Sequence, residues 1–415
     1  MDRIRILGGI PLQGKVYIQG SKNAALPMMA AALLHDGVSV LHGCPKIADV
    51  LCMEQILASM GAVTWWEGHS LYLDCRNITG IEVKESYARK MRSSVILLGA
   101  LLGRKKEGRI GYPGGCVIGK RPINLHLEIL KELGAVIREE GDEILAHCTK
   151  LQGCHIYLPM SSVGATEQGI LAAVLADGTT YLHHCAKEPE ILWMQAFLRG
   201  MGADITGAGT ETIRISGVKR LRDSQFAIPP DRIVAGTYLC AGAITRGRLV
   251  LENCPFGELE AFLQVYGKMG GQFQHNSGTL IADSRGLYSP VPYLETAVYP
   301  GFPTDLQSPL LAVLSIAKGE SRMRETIFED RYKAAVELNR MGANIKVQGQ
   351  DAYIAGVSGL HGCEVQAEEL RGGAALVLAG LAAEGETVVN GCRFIQRGYE
   401  CICEDFTALG GRIST

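Results

Sequence analysis

The chain has 415 residues, of which 47% are hydrophobic and 20% are charged. This composition is typical of a globular protein and, at this length, predicts two or three domains. The 41 lysines and arginines are balanced by 43 aspartates and glutamates, which excludes a net field favouring nucleic acid or a membrane surface. Any anion-binding site must therefore be a local cluster of cations.

The cysteine content and the length of the apolar runs indicate the cellular compartment in which the chain is expected. The 13 cysteines are scattered, odd in number and without zinc-site spacing, so we predict no disulfide framework, no metal and a reducing cytoplasm. The first residues enter a strand-like segment without an apolar signal region. The longest apolar runs are shorter than the roughly 20 residues of a membrane span.

Taken in chain order, one pattern occurs six times, about every 70 residues. An apolar helix ends at a charged residue followed by glycine, first at Asp36-Gly37 and last at Glu384-Gly385. A strand and a second helix follow, and the second helix ends at Met-Gly or Leu-Gly, from Met60-Gly61 to Leu409-Gly410. Alternating runs such as Thr212–Ile215 then close each copy as strands. We therefore predict an α/β fold of six repeats.

The first helix of each repeat opens with residues that suit capping and anion binding. Four of the six openings carry a cation, at Lys22, Arg92, Arg232 and Arg371, and the fifth repeat carries Asp305 instead. Capping alone would favour an acidic residue, because helix N-termini have a partial positive charge. The excess of cations therefore indicates anion sites at these helix starts.

A glycine-rich loop, 113–122, places Cys116 just before Lys120 and Arg121. Nearby cations lower a thiol's pKa, and glycine lets a loop close over a ligand, so the setting suits a reactive cysteine. A structural thiol in a turn is the alternative. Cysteines at the equivalent place in other repeats (Cys44, Cys185, Cys254, Cys392) lack these features and are predicted to be structural.

Several motifs in this order resemble the UDP-N-acetylglucosamine enolpyruvyl transferases, from residue 6 to residue 410. They are Gly20–Pro27, the 113–122 loop, Ser162–Thr166, Phe302–Asp305 and Arg397–Glu400. The resemblance implies a two-domain inside-out α/β barrel with three repeats per domain. It assigns 22–229 to the first domain and 1–21 plus 230–415 to the second, with the active site in the cleft between them.

The activity that the resemblance implies is addition–elimination, the first committed step of peptidoglycan synthesis. Phosphoenolpyruvate is protonated while the 3-hydroxyl of UDP-N-acetylglucosamine attacks it, and phosphate then leaves. The family's loop cysteine, a general acid that fosfomycin alkylates, matches Cys116. Asp305 matches the group that takes the hydroxyl proton, and Lys22, Arg397 and Glu369 match further catalytic positions. The substrates are small molecules, no cofactor is implied, and a monomer or weak oligomer is expected.

The resemblance also implies two binding sets. The first would hold phosphoenolpyruvate: Lys22, Asn23, Arg121, Arg331, Arg371 and Arg397. The second would hold the nucleotide sugar: Asn23, Arg92, Arg121, Pro122, Ile123, Asn124, Leu125, Ser161, Ser162, Val163, Gly164, Asp305 and Ile327.

Five positions depart from the family pattern: Glu369, Gln396, Val234, Ala334 and Met160. Glu369 stands where many relatives have Asp, and one methylene would move a carboxylate by about 1 Å. These departures leave two alternatives open. One is an enolpyruvyl transferase that uses another nucleotide-linked acceptor, and the other is a non-catalytic regulatory paralogue.

Overall fold

The computed structural model describes residues 2–114 and 123–415. Within them, one compact unit comprises 2–19 with 230–415, and the other comprises 20–114 with 123–229. The chain thus passes from the first unit to the second after Gln19 and returns after Pro229. No helix in the described ranges is both long and apolar enough to cross a membrane.

Each predicted repeat corresponds to its own set of helices and strands. The chain begins with β1 (Arg3–Leu7) and β2 (Gln13–Tyr17). The first repeat contains α1 (Lys22–Ala32), β3 (Val38–His42), α2 (Ala48–Ser59), β4 (Val63–Glu67) and β5 (Ser70–Asp74). The second contains β6 (Glu82–Val83), α3 (Glu85–Ala88), α4 (Leu97–Lys105), β7 (Glu107–Gly111), α5 (Asn124–Glu132), β8 (Val136–Glu140) and β9 (Glu143–His147). The third contains β10 (His155–Tyr157), α6 (Val163–Ala173), β11 (Thr179–His183), α7 (Pro189–Gly200), β12 (Asp204–Thr206), β13 (Thr212–Ser216) and β14 (Ser224–Ala227).

The other three repeats follow the same plan. The fourth contains α8 (Arg232–Thr245), β15 (Arg248–Glu252), α9 (Glu260–Lys268), β16 (Gln272–Asn276) and β17 (Thr279–Asp283). The fifth contains β18 (Leu294–Glu295), α10 (Gln307–Leu314), β19 (Glu320–Arg324), α11 (Lys333–Arg340), β20 (Asn344–Gln348) and β21 (Asp351–Ala355). The sixth contains β22 (Glu364–Gln366), α12 (Leu370–Ala382), β23 (Glu386–Asn390), α13 (Cys392–Ile395), α14 (Ile402–Ala408) and β24 (Arg412–Ser414). Short 3-10 turns lie at Arg92–Ile96, Phe256–Glu258 and Thr304–Leu306.

Within residues 2–114 and 123–415, the strands form six four-stranded sheets, one for each repeat. In the second repeat the order is β6-β7-β9-β8, where β6 and β7 are parallel and β7, β9 and β8 are antiparallel neighbours. A helix must connect the parallel pair, and α4 does so. Three strands join sheets away from their sequence neighbours: β14 pairs with β3, β2 pairs with β15, and β1 completes the sheet of the sixth repeat.

The first long helix of each repeat forms the core of its unit. Helices α1, α4 and α6 pack together in one unit, and α8, α10 and α12 pack together in the other. All 14 residues of α8 are buried, as a helix that is apolar all round requires. Its Gly236 is necessary, because an added Cβ would lie 2.4 Å from Leu306 Cδ1.

Side-chain caps set where the core helices begin. Ser21, Ser162, Asp231 and Glu369 each accept a hydrogen bond from a backbone N–H of the first turn of α1, α6, α8 and α12. Such caps stabilise a helix start by about 1 kcal/mol. Three of the cations predicted to bind anions follow these caps within two residues: Lys22, Arg232 and Arg371.

Candidate active site

An aspartate lies between two arginines in the unit of residues 2–19 and 230–415. Asp305 belongs to the 3-10 turn that leads into α10. Arg331 Nη2 donates to its Oδ1 at 2.8 Å, and Arg371 Nη2 donates to its Oδ2 at 3.2 Å. The arginine side chains are 2% and 3% exposed, whereas that of Asp305 is 30% exposed. The cluster therefore combines an accessible carboxylate with two desolvated guanidinium groups, a combination that suits an anionic substrate.

Arg331 keeps a donor for a ligand, and Arg371 is held by a neighbouring tyrosine. Arg331 Nε is buried and has no acceptor among the residues described. A buried unpaired donor is costly, so it marks a place where a ligand oxygen can bind. Arg371 Nη1 lies 3.4 Å from Tyr399 Oη, and that hydroxyl lies 2.8 Å from Thr237 Oγ1.

Arg371 remains charged in its buried position. Burial by itself lowers the pKa of Arg371, but the attraction of Asp305, Tyr399 and Asp231 outweighs burial and raises the pKa above its usual value. The guanidinium is therefore a fixed positive charge in a poorly solvated place, where its attraction for an anion is least screened.

A buried carboxylate that the sequence analysis missed organises this cluster. Glu325 is 1% exposed and accepts hydrogen bonds from Thr296 Oγ1 and Thr304 Oγ1, both at 2.9 Å. It also accepts from the N–H groups of Ile327 at 2.9 Å and Phe328 at 3.1 Å. Glu325 thus ties the residue before Asp305 to the turn that carries Ile327, one of the residues predicted to bind the nucleotide sugar.

Glu369 has a structural role in this unit. Its carboxylate caps α12 by accepting from Arg371 N at 2.7 Å and, in a short contact, from Gly372 N. The cap orients the helix turn from which Arg371 reaches Asp305. The catalytic role of Glu369 stays a prediction.

The turn that carries Arg397 is held by a second residue missed in the sequence. Gln19 Nε2 donates to Gly398 O at 3.2 Å, and Gln19 Oε1 accepts from Glu400 N at 2.9 Å. Arg397 itself is half-buried. Gln19 stands just before the first matched motif, and its amide is recognisable as a turn anchor only when the fold is known.

Lys22 occupies the start of α1 in the unit of residues 20–114 and 123–229. Its Nζ lies 3.4 Å from Asp49 Oδ2, which belongs to the first turn of α2. The side chains are 14% and 5% exposed, so the pair is largely removed from water. Asp49 fixes the position of the ammonium and was not predicted from sequence.

The predicted nucleotide-sugar residues of this unit lie on three helix starts. Arg92 begins a 3-10 turn, Asn124 begins α5, and Ser162 caps α6 through Ala165 N at 3.4 Å. Gly164 allows close packing, because an added Cβ would lie 2.9 Å from His126 Cε1. Three further members of the set are placed beside these starts: Ile123 is buried at the start of α5, Leu125 follows Asn124, and Ser161 Oγ donates to Cys185 O at 3.3 Å.

Asn23, Val163 and Ile327 complete the described members of the predicted sets. Asn23 is the second residue of α1, Val163 is the first of α6, and Ile327 is half-buried beside Glu325. Cys116, Arg121 and Pro122 lie outside the described residues. All assignments to ligands stay predictions.

The departures fall into two groups. Val234 and Ala334 are buried in α8 and α11, whereas Gln396 and Met160 are exposed. A buried Val or Ala contributes packing and no charge at these places. The exposed positions leave room for variation without disturbing the core.

The cysteines predicted to be structural lie inside the protein. Cys44, Cys185, Cys254 and Cys392 are buried. Burial raises the pKa of Cys185 and Cys392 to about 11 and that of Cys254 to about 12. A raised pKa keeps the last three thiols protonated at neutral pH, which makes them poor nucleophiles.

Solved structures share this architecture. The enolpyruvyl transferase NikO from Streptomyces tendae matches with a TM-score of 0.90 and 26% identity, over 99% of this chain and 98% of its own. EPSP synthase from Acinetobacter baumannii has the same fold at a TM-score of 0.76 and 19% identity, over 100% of both chains. The predicted two-domain inside-out α/β barrel, the fold of the enolpyruvyl transferases, is therefore confirmed.

Sequence comparison gives the family. The model for EPSP synthase (3-phosphoshikimate 1-carboxyvinyltransferase) matches residues 6–406, and the chain belongs to this family. It is 46% identical over 413 residues to UDP-N-acetylglucosamine 1-carboxyvinyltransferase 2 of Caldanaerobacter subterraneus, covering 100% of this chain and 99% of the relative. It is also 46% identical over 418 residues to UDP-N-acetylglucosamine 1-carboxyvinyltransferase of Granulibacter bethesdensis, covering 100% and 99%.

Proposed function

We propose that this chain transfers the enolpyruvyl group of phosphoenolpyruvate to the 3-hydroxyl of UDP-N-acetylglucosamine and releases phosphate. The observation that carries the proposal is the position of Asp305 between the buried Arg331 and Arg371. The chain that holds this cluster is 46% identical to proteins named UDP-N-acetylglucosamine 1-carboxyvinyltransferase. This places the protein at the first committed step of peptidoglycan synthesis, which is consistent with the resemblance found in the sequence.

In the proposed mechanism, Cys116 and Asp305 carry out the proton transfers. The Cys116 thiol gives a proton to the methylene carbon of phosphoenolpyruvate while the sugar oxygen attacks the adjacent carbon. Asp305 takes the proton of the attacking hydroxyl. The carbon–oxygen bond to phosphate then breaks, and the proton held by Asp305 passes to the leaving phosphate. The Cys116 thiolate takes a proton back from the methyl carbon, which restores the double bond and returns both residues to their starting states.

The cations supply charge stabilisation. Arg331 and Arg371 offer desolvated donors to the phosphate and carboxylate groups of phosphoenolpyruvate, and Lys22, Arg121 and Arg397 add further positive charge. Preorganised charge is effective because it needs no rearrangement during the reaction. Asp49 and Glu325 act as positioning residues for Lys22 and for the Asp305 turn.

The decisive experiment measures phosphate release when the purified chain is mixed with phosphoenolpyruvate and UDP-N-acetylglucosamine. Release that requires both substrates supports the proposal. Binding of UDP-N-acetylglucosamine without release would favour a regulatory paralogue, and absence of both would favour a different acceptor. A matched control is the Asp305→Asn variant, which keeps the shape of the side chain but removes its capacity to take a proton, so it should bind the nucleotide sugar without turnover.

We further propose that the chain acts in the cytoplasm on small molecules alone, as a monomer or weak oligomer. The near balance of charges in the sequence supports the absence of a nucleic-acid or membrane partner. Sedimentation of the purified chain over a range of concentrations measures its oligomeric state.

A further inference from the structure

A basic cavity lies in the unit of residues 20–114 and 123–229, at the ends of helices α1 and α4. It has a volume of about 1020 Å³. The segment Lys219–Asp223 forms one side of it, and the residues that follow α1 and end α4 form the other. The candidate active-site residues Lys22 and Ser162 lie at the N-terminal ends of α1 and α6, so the basic cavity is not part of the site described above.

The cavity concentrates positive charge in a chain whose net charge is −2. Its lining contains five basic side chains, namely Arg104, Lys106, Lys219, Arg220 and Arg222. The carboxylates that line it are Asp36 and Asp223, and His35 is also present. Asp36 faces Arg104 at 3.4 Å, and His35 Nε2 lies 2.7 Å from Asp223 Oδ1. Both acids therefore have partners, and the other charged side chains of the lining are cations.

The basic residues divide into those used by the fold and those left for a ligand. Arg104 donates to the carbonyls of Leu33, His35 and Cys75 at 2.9, 3.0 and 2.7 Å, so it offsets the negative end of α1. Lys219 and Arg220 are exposed and make no hydrogen bond or ion pair with the described part of the chain. Both side chains are therefore available to a ligand.

A hydrogen-bonded pair joins the 219–223 segment to the residues that follow α1. Gly37 lies against the His35–Asp223 pair, where an added Cβ would be 2.1 Å from His35 Nε2 and 2.2 Å from Asp223 Oδ1. Asp223 Oδ1 also accepts from Val38 N at 2.8 Å. The hydrogen bonds from His35 and from this backbone N–H lower the pKa of Asp223, which favours its charged carboxylate form. The 219–223 segment is thereby anchored to the end of α1.

We propose that the basic cavity binds a small polyphosphorylated organic anion, such as a nucleoside polyphosphate. The volume is larger than one phosphate requires and fits a molecule of this size. The unpaired cations Lys219 and Arg220 suit adjacent phosphate groups. Arg222 and Lys106 add positive charge while donating to Gly200 O at 3.2 Å and to Gly103 O at 2.7 Å. Half-buried Leu175 gives an apolar contact for the ring-bearing part of the ligand. The site would let a phosphorylated metabolite bind away from the candidate active site.

The test is titration calorimetry of the full chain with ATP, pyrophosphate and adenosine at low salt. Saturating UDP-N-acetylglucosamine is added in a parallel series, so that binding at the candidate active site is recognised by competition. ATP and pyrophosphate should bind in both series, adenosine should not bind, and affinity should fall as salt rises.

Two double variants locate the binding. Lys219→Glu with Arg220→Glu should weaken ATP binding by about tenfold or more, because attraction becomes repulsion. Lys268→Glu with Lys346→Glu makes the same charge change at exposed places in the other unit and should leave binding unchanged. Circular dichroism confirms that both variants fold.

The outcomes separate this proposal from the proposed function, because binding is measured without turnover. Failure of ATP and pyrophosphate to bind at millimolar concentration overturns it. Equal weakening by both double variants, or complete competition by UDP-N-acetylglucosamine, also overturns it. A chain that releases no phosphate but shows the expected binding pattern would contradict the proposed function alone.

Discussion

Truncation of Glu325 tests whether this buried carboxylate positions the Asp305 turn. Glu325→Ala removes the acceptor of two backbone N–H groups, at Ile327 and Phe328, and of two threonine hydroxyls. The hydroxyls can rotate to new partners, but the N–H groups cannot, and each unpaired buried donor costs about 1–2 kcal/mol. We therefore expect the free energy of unfolding to fall by about 2–4 kcal/mol.

Activity should fall by more than stability explains. Thr304 precedes Asp305 directly, and a displacement of about 1 Å at a reacting group lowers the rate by about 100-fold. The assay is kcat/KM for phosphate release, at a temperature where circular dichroism shows the variant to be folded. Denaturant unfolding gives the stability separately.

Glu325→Gln is the matched control for this prediction. Its amide oxygen can accept from Ile327, Phe328 and Thr296, and its amide nitrogen can donate to Thr304 Oγ1, so the turn keeps its geometry while the charge is lost. We expect kcat/KM within about fivefold of the unaltered chain, since only the charge-assisted part of these bonds disappears. Wild-type activity in Glu325→Ala, or equal damage in both variants, would refute the positioning argument.

Three further predictions use other residues. Asp49→Asn should lower kcat for phosphate release by about tenfold or more, because Lys22 loses the charge that orients it. Binding of the nucleotide sugar, measured by calorimetry, should change little. A large loss of that binding would contradict a positioning role for Asp49. Glu167→Gln should raise the melting temperature at pH 8 but not at pH 4. Burial, with Glu190 and Glu188, holds the pKa of Glu167 well above its usual value, so the folded state keeps the proton and stability falls as pH rises above the unfolded pKa of about 4.3. Each 1 kcal/mol corresponds to about 2–4 °C in a unit of this size, and an unchanged difference between the two pH values would count against an ionisation effect. Fosfomycin should add one adduct, at Cys116, detectable by peptide mass. Cys401 is the internal control: it is an exposed residue, but partial burial of its thiol, and then the charge of Glu400, raise its pKa. An adduct on Cys401 would show that Cys116 is not the reactive thiol.

Much of the fold could be predicted because each repeat carries its own local signals. The glycines after the helices and the caps at Ser21, Ser162 and Asp231 are contacts between near neighbours in sequence, and they are found where the pattern indicated. Strand partners depend on distant residues instead. The run Ser224–Ala227 precedes α8, but it pairs with Val38–His42 rather than with the strand that follows α8.

The candidate site shows the same division between local and distant information. Asp305, Arg371 and Lys22 could be found because each stands at a helix start, and the family resemblance added Arg331. Glu325 and Asp49 could not be found, because a glutamate after a strand and an aspartate in the first turn of a helix usually face solvent.

The positioning residues become visible only through what they bind. Glu325 draws its four donors from residues 296, 304, 327 and 328, which no spacing rule connects. Asp49 reaches Lys22 from a separate helix. A buried carboxylate persists only when its hydrogen-bonding capacity is filled, so its partners must be held in place as firmly as the carboxylate itself. In this chain the partners of the two buried acids include the ammonium of Lys22 and Thr304, the residue before Asp305. The hydrogen bonds that make burial of Asp49 and Glu325 tolerable therefore also hold in place the groups on which the proposed reaction depends.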